Sequence, residues 1–364
     1  MTVKDIVNAI EEVAPPAYQE SYDNSGLLIG NYNQEVTGVL LTVDVIPDII
    51  EEAVEKNCNL IISHHPIIFF GLKRITGSNY IEKSIIKAIE NKISIYCGHT
   101  SLDVAYNGVN YHLAKKIDLK NIQVLHPIQD SLFKIVTFVP QSHSEKVRQA
   151  LFEAGAGKIG NYDSCSYCIS GTGTFRGNDN ANPFVGEIGK IHLEEEIRIE
   201  TIFPKHLKNR IIKSLLESHP YEEPAYDIFQ LSNTHKNMGL GVVGTLETEQ
   251  EELTFLNKIK NTFNCSCIRH TKLLGKKIKK VAICGGSGSE LLKDAIIAGG
   301  DIFITADFKY HQFFDAEDKL IIADIGHYES EQFTKEIFYD ILTKNFSNFA
   351  VHFSKINTNP INYL

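Results

Sequence analysis

Three short stretches in the first hundred residues are apolar at nearly every position. They cover residues 39–43, 59–63 and 93–97, and are rich in Val, Ile and Leu. Such runs read as strands buried on both faces. Between the first two, Pro47 opens a helical pattern that puts Ile49, Ile50, Ala53 and Val54 on an inner face. A second helix is predicted over 81–91. Strand, helix, strand implies a parallel pair. Residues 1–12 read as an amphipathic helix with Val3, Ile6, Val7 and Ile10 on one side.

The plan recurs from about residue 236, with strands at 280–284, 301–305 and 320–324 and a helix at 290–298. Aligning Val39 with Val281 puts Ile62 on Ile304 and Ser63 on Thr305 without a gap. Aligning the later strands puts Gly98-His99 on Gly326-His327 and Asp103 on Glu331. This reads as an internal duplication; chance similarity of two βαβ units is the competing reading. The middle has another rhythm. Strands are expected at 133–139, 198–203 and 225–231, with helices from Ser144 (Val147, Ala150, Leu151 and Ala154 inward) and over 205–218. A Gly- and Asn-rich stretch, 155–189, separates them. The expected fold is α/β: two related halves, 1–129 and 233–364, form one domain, and 130–232 is an inserted ferredoxin-like α+β domain.

Composition narrows the classes. The 364 residues are 43% hydrophobic and 22% charged, which excludes a disordered or fibrous chain. A formal net charge of −9 argues against nucleic acid as a partner. No stretch is apolar enough to span a membrane, and residues 1–12 lack the pattern of a secretory signal. Seven scattered cysteines, such as Cys97 and Cys284 in apolar strands, suit buried thiols. A cytoplasmic location is expected.

Chemistry gathers at strand ends. Ser63-His64-His65-Pro66 follows one apolar run, and in open α/β sheets ligands bind at the carboxyl ends of strands. Adjacent histidines point apart, so the pair suits two metal ions, or a metal and a substrate; the alternative is one packed and one solvated ring. His99-Thr100-Ser101-Leu102-Asp103 and His327-Tyr328-Glu329-Ser330-Glu331 each follow a strand and offer a carboxylate four residues after a histidine. A helical turn would place both groups on one face. Asp307 and His311 could form an outer ring of support or touch substrate. Three weaker patterns stand beside these. Cys284-Gly285-Gly286-Ser287-Gly288-Ser289 could cradle a phosphate or be a tight turn. Cys165-Ser166-Tyr167-Cys168 reads as a loop rather than a metal site, and His219-Pro220-Tyr221-Glu222-Glu223-Pro224 as a rigid turn.

These motifs, with Asp23-Asn24-Ser25-Gly26-Leu27-Leu28-Ile29-Gly30, resemble the Nif-three-like family, whose bacterial members are often labelled GTP cyclohydrolase 1 type 2 homologues. The likeness covers nearly the whole chain. The middle segment resembles the PII- and copper-tolerance-like insertion of the longer members, carried by Asn161-Tyr162-Asp163-Ser164-Cys165 and by residues 219–224. The resemblance implies a dinuclear centre held by His64, His65, Asp103, His327 and Glu331, with His99 outside the main ligands, and a ring-shaped homohexamer. The expected cofactors are two divalent ions per chain, of Zn, Fe, Mn, Co or Ni. The expected function is metal-dependent hydrolysis of a nucleotide or related small molecule. His99, Asp307 and His311 are the general acid or base candidates. The alternative is a metal-handling or regulatory protein without turnover; a nucleic-acid-linked role ranks below both.

Overall fold

Each apolar run of the sequence is a strand at the centre of a sheet. The computed structural model describes residues 1–347 and 349–364. In chain order its strands are β1 (Gly26–Ile29), β2 (Val39–Thr42), β3 (Leu60–Ser63), β4 (Ser94–Cys97), β5 (Lys120–Pro127), β6 (Leu132–Pro140), β7 (Tyr167–Phe175), β8 (His192–Pro204), β9 (Tyr226–Leu231), β10 (Gly239–Glu251), β11 (Arg269–His270), β12 (Lys277–Ser287), β13 (Ile302–Ala306), β14 (Ile321–Asp324) and β15 (Val351–Phe353). The chain divides into two units, Met1–Pro127 with Lys236–Leu364, and Ile128–His235.

In the first unit one sheet has the order β1-β4-β3-β2-β15 and the other β11-β14-β13-β12-β10-β5. Each has three parallel strands in register, Val39 beside Leu60 beside Ser94 in one and Val281 beside Ile302 beside Ile321 in the other. Each is flanked by an antiparallel strand, β1 on β4 and β11 on β14. The two share one core: Leu41, Leu60 and Ile62 join Val281, Ile283, Ile302 and Ile304 in a single cluster with the helix Val3–Val13. Alternate residues face outward, Leu40, Ile61 and Ile95 under the helices Pro47–Glu55 and Tyr80–Glu90, and Ala282, Phe303 and Ile322 under Leu292–Ile297. Burial on both faces is why these strands are apolar throughout.

Helix starts follow local chemistry. Thr2 and Asp5 form a reciprocal capping box for Val3–Val13, and Pro47 opens its helix with the fixed φ suited to a first turn. One face assignment differs from the sequence pattern. Val54 is 49% exposed, while Glu52 is buried. Glu52 accepts hydrogen bonds from the Ser354 hydroxyl and the Lys355 N–H, so the inner position goes to the residue that ties down the segment after β15.

The second unit is an antiparallel sheet in the order β7-β8-β6-β9. The helices Ser144–Glu153 and Lys208–Ser218 supply Val147, Leu151, Ile211 and Leu215 to a core with Ile135, Val139, Ile199 and Phe203. The Gly- and Asn-rich stretch is not all loop: it contains β7, whose residues are mostly exposed and so show no apolar alternation. Cys168 is an exposed residue of β7 and Cys165 lies just before it. Among the described residues no helix is long and apolar enough to cross a membrane.

Truncation should separate the two faces of Pro47–Glu55. Ile49→Ala should cost about 2–5 kcal/mol in chemical denaturation, and Val54→Ala no more than about 0.5 kcal/mol. Equal losses would contradict the burial pattern.

Candidate metal centre

The carboxyl ends of the parallel strands of the first unit converge. After β3 the N–H groups of His64 and His65 both donate to the Val43 carbonyl, at 3.1 and 2.9 Å, which turns the chain and splays the two rings. His99 follows β4 and caps the short helix Thr100–Val104, which carries Asp103. Gly326, at φ 95°, opens the short helix His327–Glu331 after β14. A left-handed φ there favours glycine, and an added Cβ would lie 2.2 Å from Glu329 Oε2. The second motif therefore becomes a single helical turn with His327 and Glu331 3.0 Å apart, whereas His99 precedes the turn that carries Asp103.

Glu331 is the hub. Its Oε2 lies 2.8 Å from His65 Nε2 and 3.0 Å from His327 Nε2, and its Oε1 lies 3.5 Å from His64 Nε2. Asp103 Oδ1 is 3.7 Å from the same His64 nitrogen. Two groups of donor atoms share Glu331: His65, His327 and Glu331, and His64, Asp103 and Glu331, each with its atoms within 4.8 Å of one another. His99 joins His64 and His65 in a third such group, so it stands as close to the centre as the residues expected to be ligands.

An outer ring fixes the histidines. His65 Nδ1 donates to Asp44 Oδ1 at 2.7 Å, His99 Nδ1 to Asp23 Oδ1 at 2.7 Å, His327 Nδ1 to Asp307 Oδ2 at 2.7 Å, and His64 Nδ1 to the Gly98 carbonyl at 3.1 Å. With every Nδ1–H directed outward, every Nε2 is left for the centre. The His65 and His327 Nε2 atoms are 3.2 Å apart. Among the described residues, His64 Nε2, Asp103 Oδ1 and Glu331 Oε2 are buried without a hydrogen-bond partner; the short His65 and His327 contacts to Oε2 do not have hydrogen-bond alignment. Nitrogens and oxygens crowded together yet out of line with one another suit donors aimed at a common cation.

Charge gives the same picture. Burial alone pulls His65 and His327 toward neutrality, but Glu331 with Asp44 or Asp307 outweighs it and pushes them up to about 10 and about 11. Burial and then the Glu331 carboxylate push Asp103 up. Burial also opposes the Glu331 charge, yet the surrounding histidines hold its pKa well below the usual carboxylate range. The protons on these histidines occupy the positions a divalent ion would neutralise instead.

The remaining candidates fall into place or out of it. Asp307, at φ 60°, serves as the support of His327. His311 is exposed between Tyr310 and Phe314, outside the donor groups. The glycine-rich turn offers little to a phosphate: Gly285 N–H donates to Asn110 Oδ1 and Gly286 N–H to Ser330 Oγ, both at 2.9 Å. Its role is space. A Cβ on Gly286 would lie 2.2 Å from Glu331 Oε1. Asp44, Asp23 and Gly286 are the functional positions the motifs did not single out. Asp23 and Gly286 lay within motifs that suggested no such role, while Asp44 carried only its place just past a strand end.

Comparison with known proteins gives the family. The family model Duf34/NIF3 (NGG1p interacting factor 3) matches residues 1–360. The chain belongs to the Duf34/NIF3 family. A Bacillus subtilis relative named "GTP cyclohydrolase 1 type 2 homolog" is 39% identical over 367 residues, covering 99% of this chain and 98% of that protein. Among solved structures, a Bacillus cereus protein related to NIF3 superposes with a TM-score of 0.86 at 36% identity, covering 100% of this chain and 99% of that one. A Staphylococcus aureus protein superposes with a TM-score of 0.79 at 32% identity, covering 100% and 99%. The family is thus shown over the whole length, both units included.

Two predictions follow from the geometry. Metal binding should release protons from His65 and His327, so apparent affinity should rise with pH between 6 and 8 by up to about tenfold per unit for each proton displaced. Calorimetry in buffers of different ionisation enthalpy reads this directly, and no proton release would contradict it. Gly286→Ala should displace Glu331 and lower metal content, measured by elemental mass spectrometry, whereas Gly275→Ala, with open space around it, should not.

Proposed function

We propose that this chain binds two divalent ions through His64, His65, Asp103, His327 and Glu331, with the Glu331 carboxylate shared between them. We propose further that it hydrolyses a nucleotide or related small molecule at that centre. The observation that carries the reading is the set of buried donor atoms, His64 Nε2, Asp103 Oδ1 and Glu331 Oε2, that no hydrogen bond from the described residues satisfies. Mixed imidazole and carboxylate donors suit Zn, Fe, Mn, Co or Ni. When bound, such a pair supplies Lewis acidity and an activated water.

The chain's own residues complete the chemistry. His99, held by Asp23 at 2.7 Å, is placed to move a proton at its remaining ring nitrogen. Asp44 and Asp307 keep the His65 and His327 rings oriented. His311 has no part in this reading. The name of the Bacillus subtilis relative favours a GTP-like substrate, in which the bond attacked lies in the imidazole ring of the base.

The same proposal covers the rest of the molecule. The order β7-β8-β6-β9, with one helix after β6 and another after β8, supports a ferredoxin-like fold for residues 128–235. A ring-shaped homohexamer is proposed on the family resemblance, and a cytoplasmic location on the sequence pattern.

Elemental mass spectrometry of purified protein should find about two divalent ions per chain in the wild type and fewer in His65→Ala and Glu331→Ala. Unchanged metal content in both variants would overturn the site. Nucleotide turnover should vanish on chelation and return on reloading. Turnover that survives metal removal would refute the hydrolase, and metal bound without turnover on any nucleotide would leave a metal-handling protein.

A further inference from the structure

The second unit contains a cavity of about 560 Å³ against its sheet. The sequence of its walls explains its shape. Gly171 pairs with Glu196 across β7 and β8, and Gly173 with Glu194. Side-chain-free positions there open the sheet surface: a Cβ on Gly173 would lie 2.1 Å from Glu196 Oε2. Glu196, 9% exposed, fills that space and lines the cavity.

Its surroundings are aromatic. Tyr221 donates its hydroxyl hydrogen to Glu196 Oε1 at 2.9 Å. The Tyr221 ring lies 5.8 Å from Phe175 and 6.3 Å from Phe184, and all three line the cavity. The turn bearing Tyr221 is pinned in place. Tyr221 N–H donates to His219 Nδ1 at 3.0 Å, and His219 Nε2 donates to the Phe138 carbonyl at 3.0 Å. Residues 219–224 are therefore more than a rigid turn: they hold an aromatic ring over a buried carboxylate.

Charge identifies what this arrangement lacks. A buried carboxylate normally has a cationic partner, and among the described residues no ion pair reaches Glu196. Arg198 is committed to Glu200 at 2.9 Å and stacks over Phe138. The lining holds three carboxylates, Glu196, Glu222 and Glu223, and two guanidinium groups, Arg176 and the Arg198 already paired with Glu200. Carboxylates outnumber cations there, which disfavours phosphate groups. An ammonium group would meet a carboxylate and ring faces, the environment that attracts organic cations. The volume exceeds what one small ammonium ion fills, and the carboxylates are spread along the wall.

We propose that this cavity binds an organic polyamine, with one ammonium group on Glu196 between the Tyr221, Phe175 and Phe184 rings and a second toward Glu222 and Glu223. The cavity's lining belongs to the second unit, whereas the candidate metal donors all belong to the first.

Titration calorimetry of the full-length protein with spermidine tests it, with GTP as the anionic comparison. Spermidine should bind saturably, and Glu196→Gln should weaken it by about tenfold or more. Phe184→Ala, at a half-exposed loop position where folding is not at risk, should weaken it severalfold. Metal content should be unchanged in both variants. Lack of saturable spermidine binding up to about 10 mM, or equal affinity in wild type and Glu196→Gln, would overturn the proposal. So would GTP binding that Glu196→Gln abolishes.

Discussion

A carboxylate cannot be buried without compensation, and Glu331 is 3% exposed. The rest of the first unit is arranged around that constraint. Three histidine Nε2 atoms lie within 3.5 Å of its oxygens. Those rings stay in position because Asp44, Asp307 and the Gly98 carbonyl hold their far nitrogens. The oxygens reach the centre because Gly286 has no side chain in the way. A chain without that glycine would need Glu331 elsewhere, and the histidines would lose their shared focus.

The two halves contribute unequally to this focus. The ungapped alignment of Val39 with Val281 puts His65 on Asp307, while β12 shifts register against β13 after Ile283, at the glycines beside Glu331. One half thus presents donor imidazoles directly after its middle strand. The other presents a supporting carboxylate and an opening. Short helices follow both β4 and β14, one carrying Asp103 and the other His327 and Glu331. The donor atoms are arranged asymmetrically, with Glu331 shared by two groups and Asp103 in one of them.

What was legible in the sequence depended on burial. β2, β3 and β4 are covered on both sides and announce themselves as unbroken apolar runs. β7 lies open and glycine-rich, and its strand character comes from pairing with β8 rather than from its own residues. Val54 reads as inward by helical period, yet Glu52 takes that side because Ser354 and Lys355, some three hundred residues away, bond to it. In the site, the histidines and their i+4 carboxylates formed visible motifs. Asp44 carried no signal beyond its place past a strand end, and Gly286, in a glycine-rich turn that suggested phosphate, matters through the room it leaves for Glu331.

The segment after β15 has a consequence for how the centre comes into being. Thr358 donates its hydroxyl hydrogen to Asp44 Oδ2 at 2.6 Å, so the residue that orients His65 is itself held from position 358. His65 and His327 are separated by the entire second unit. During synthesis the histidine pair of the first half emerges long before Glu331 and Thr358 do. The full set of donor atoms therefore exists only in the finished fold. On the metal-binding proposal, an ion would be selected after translation rather than during it.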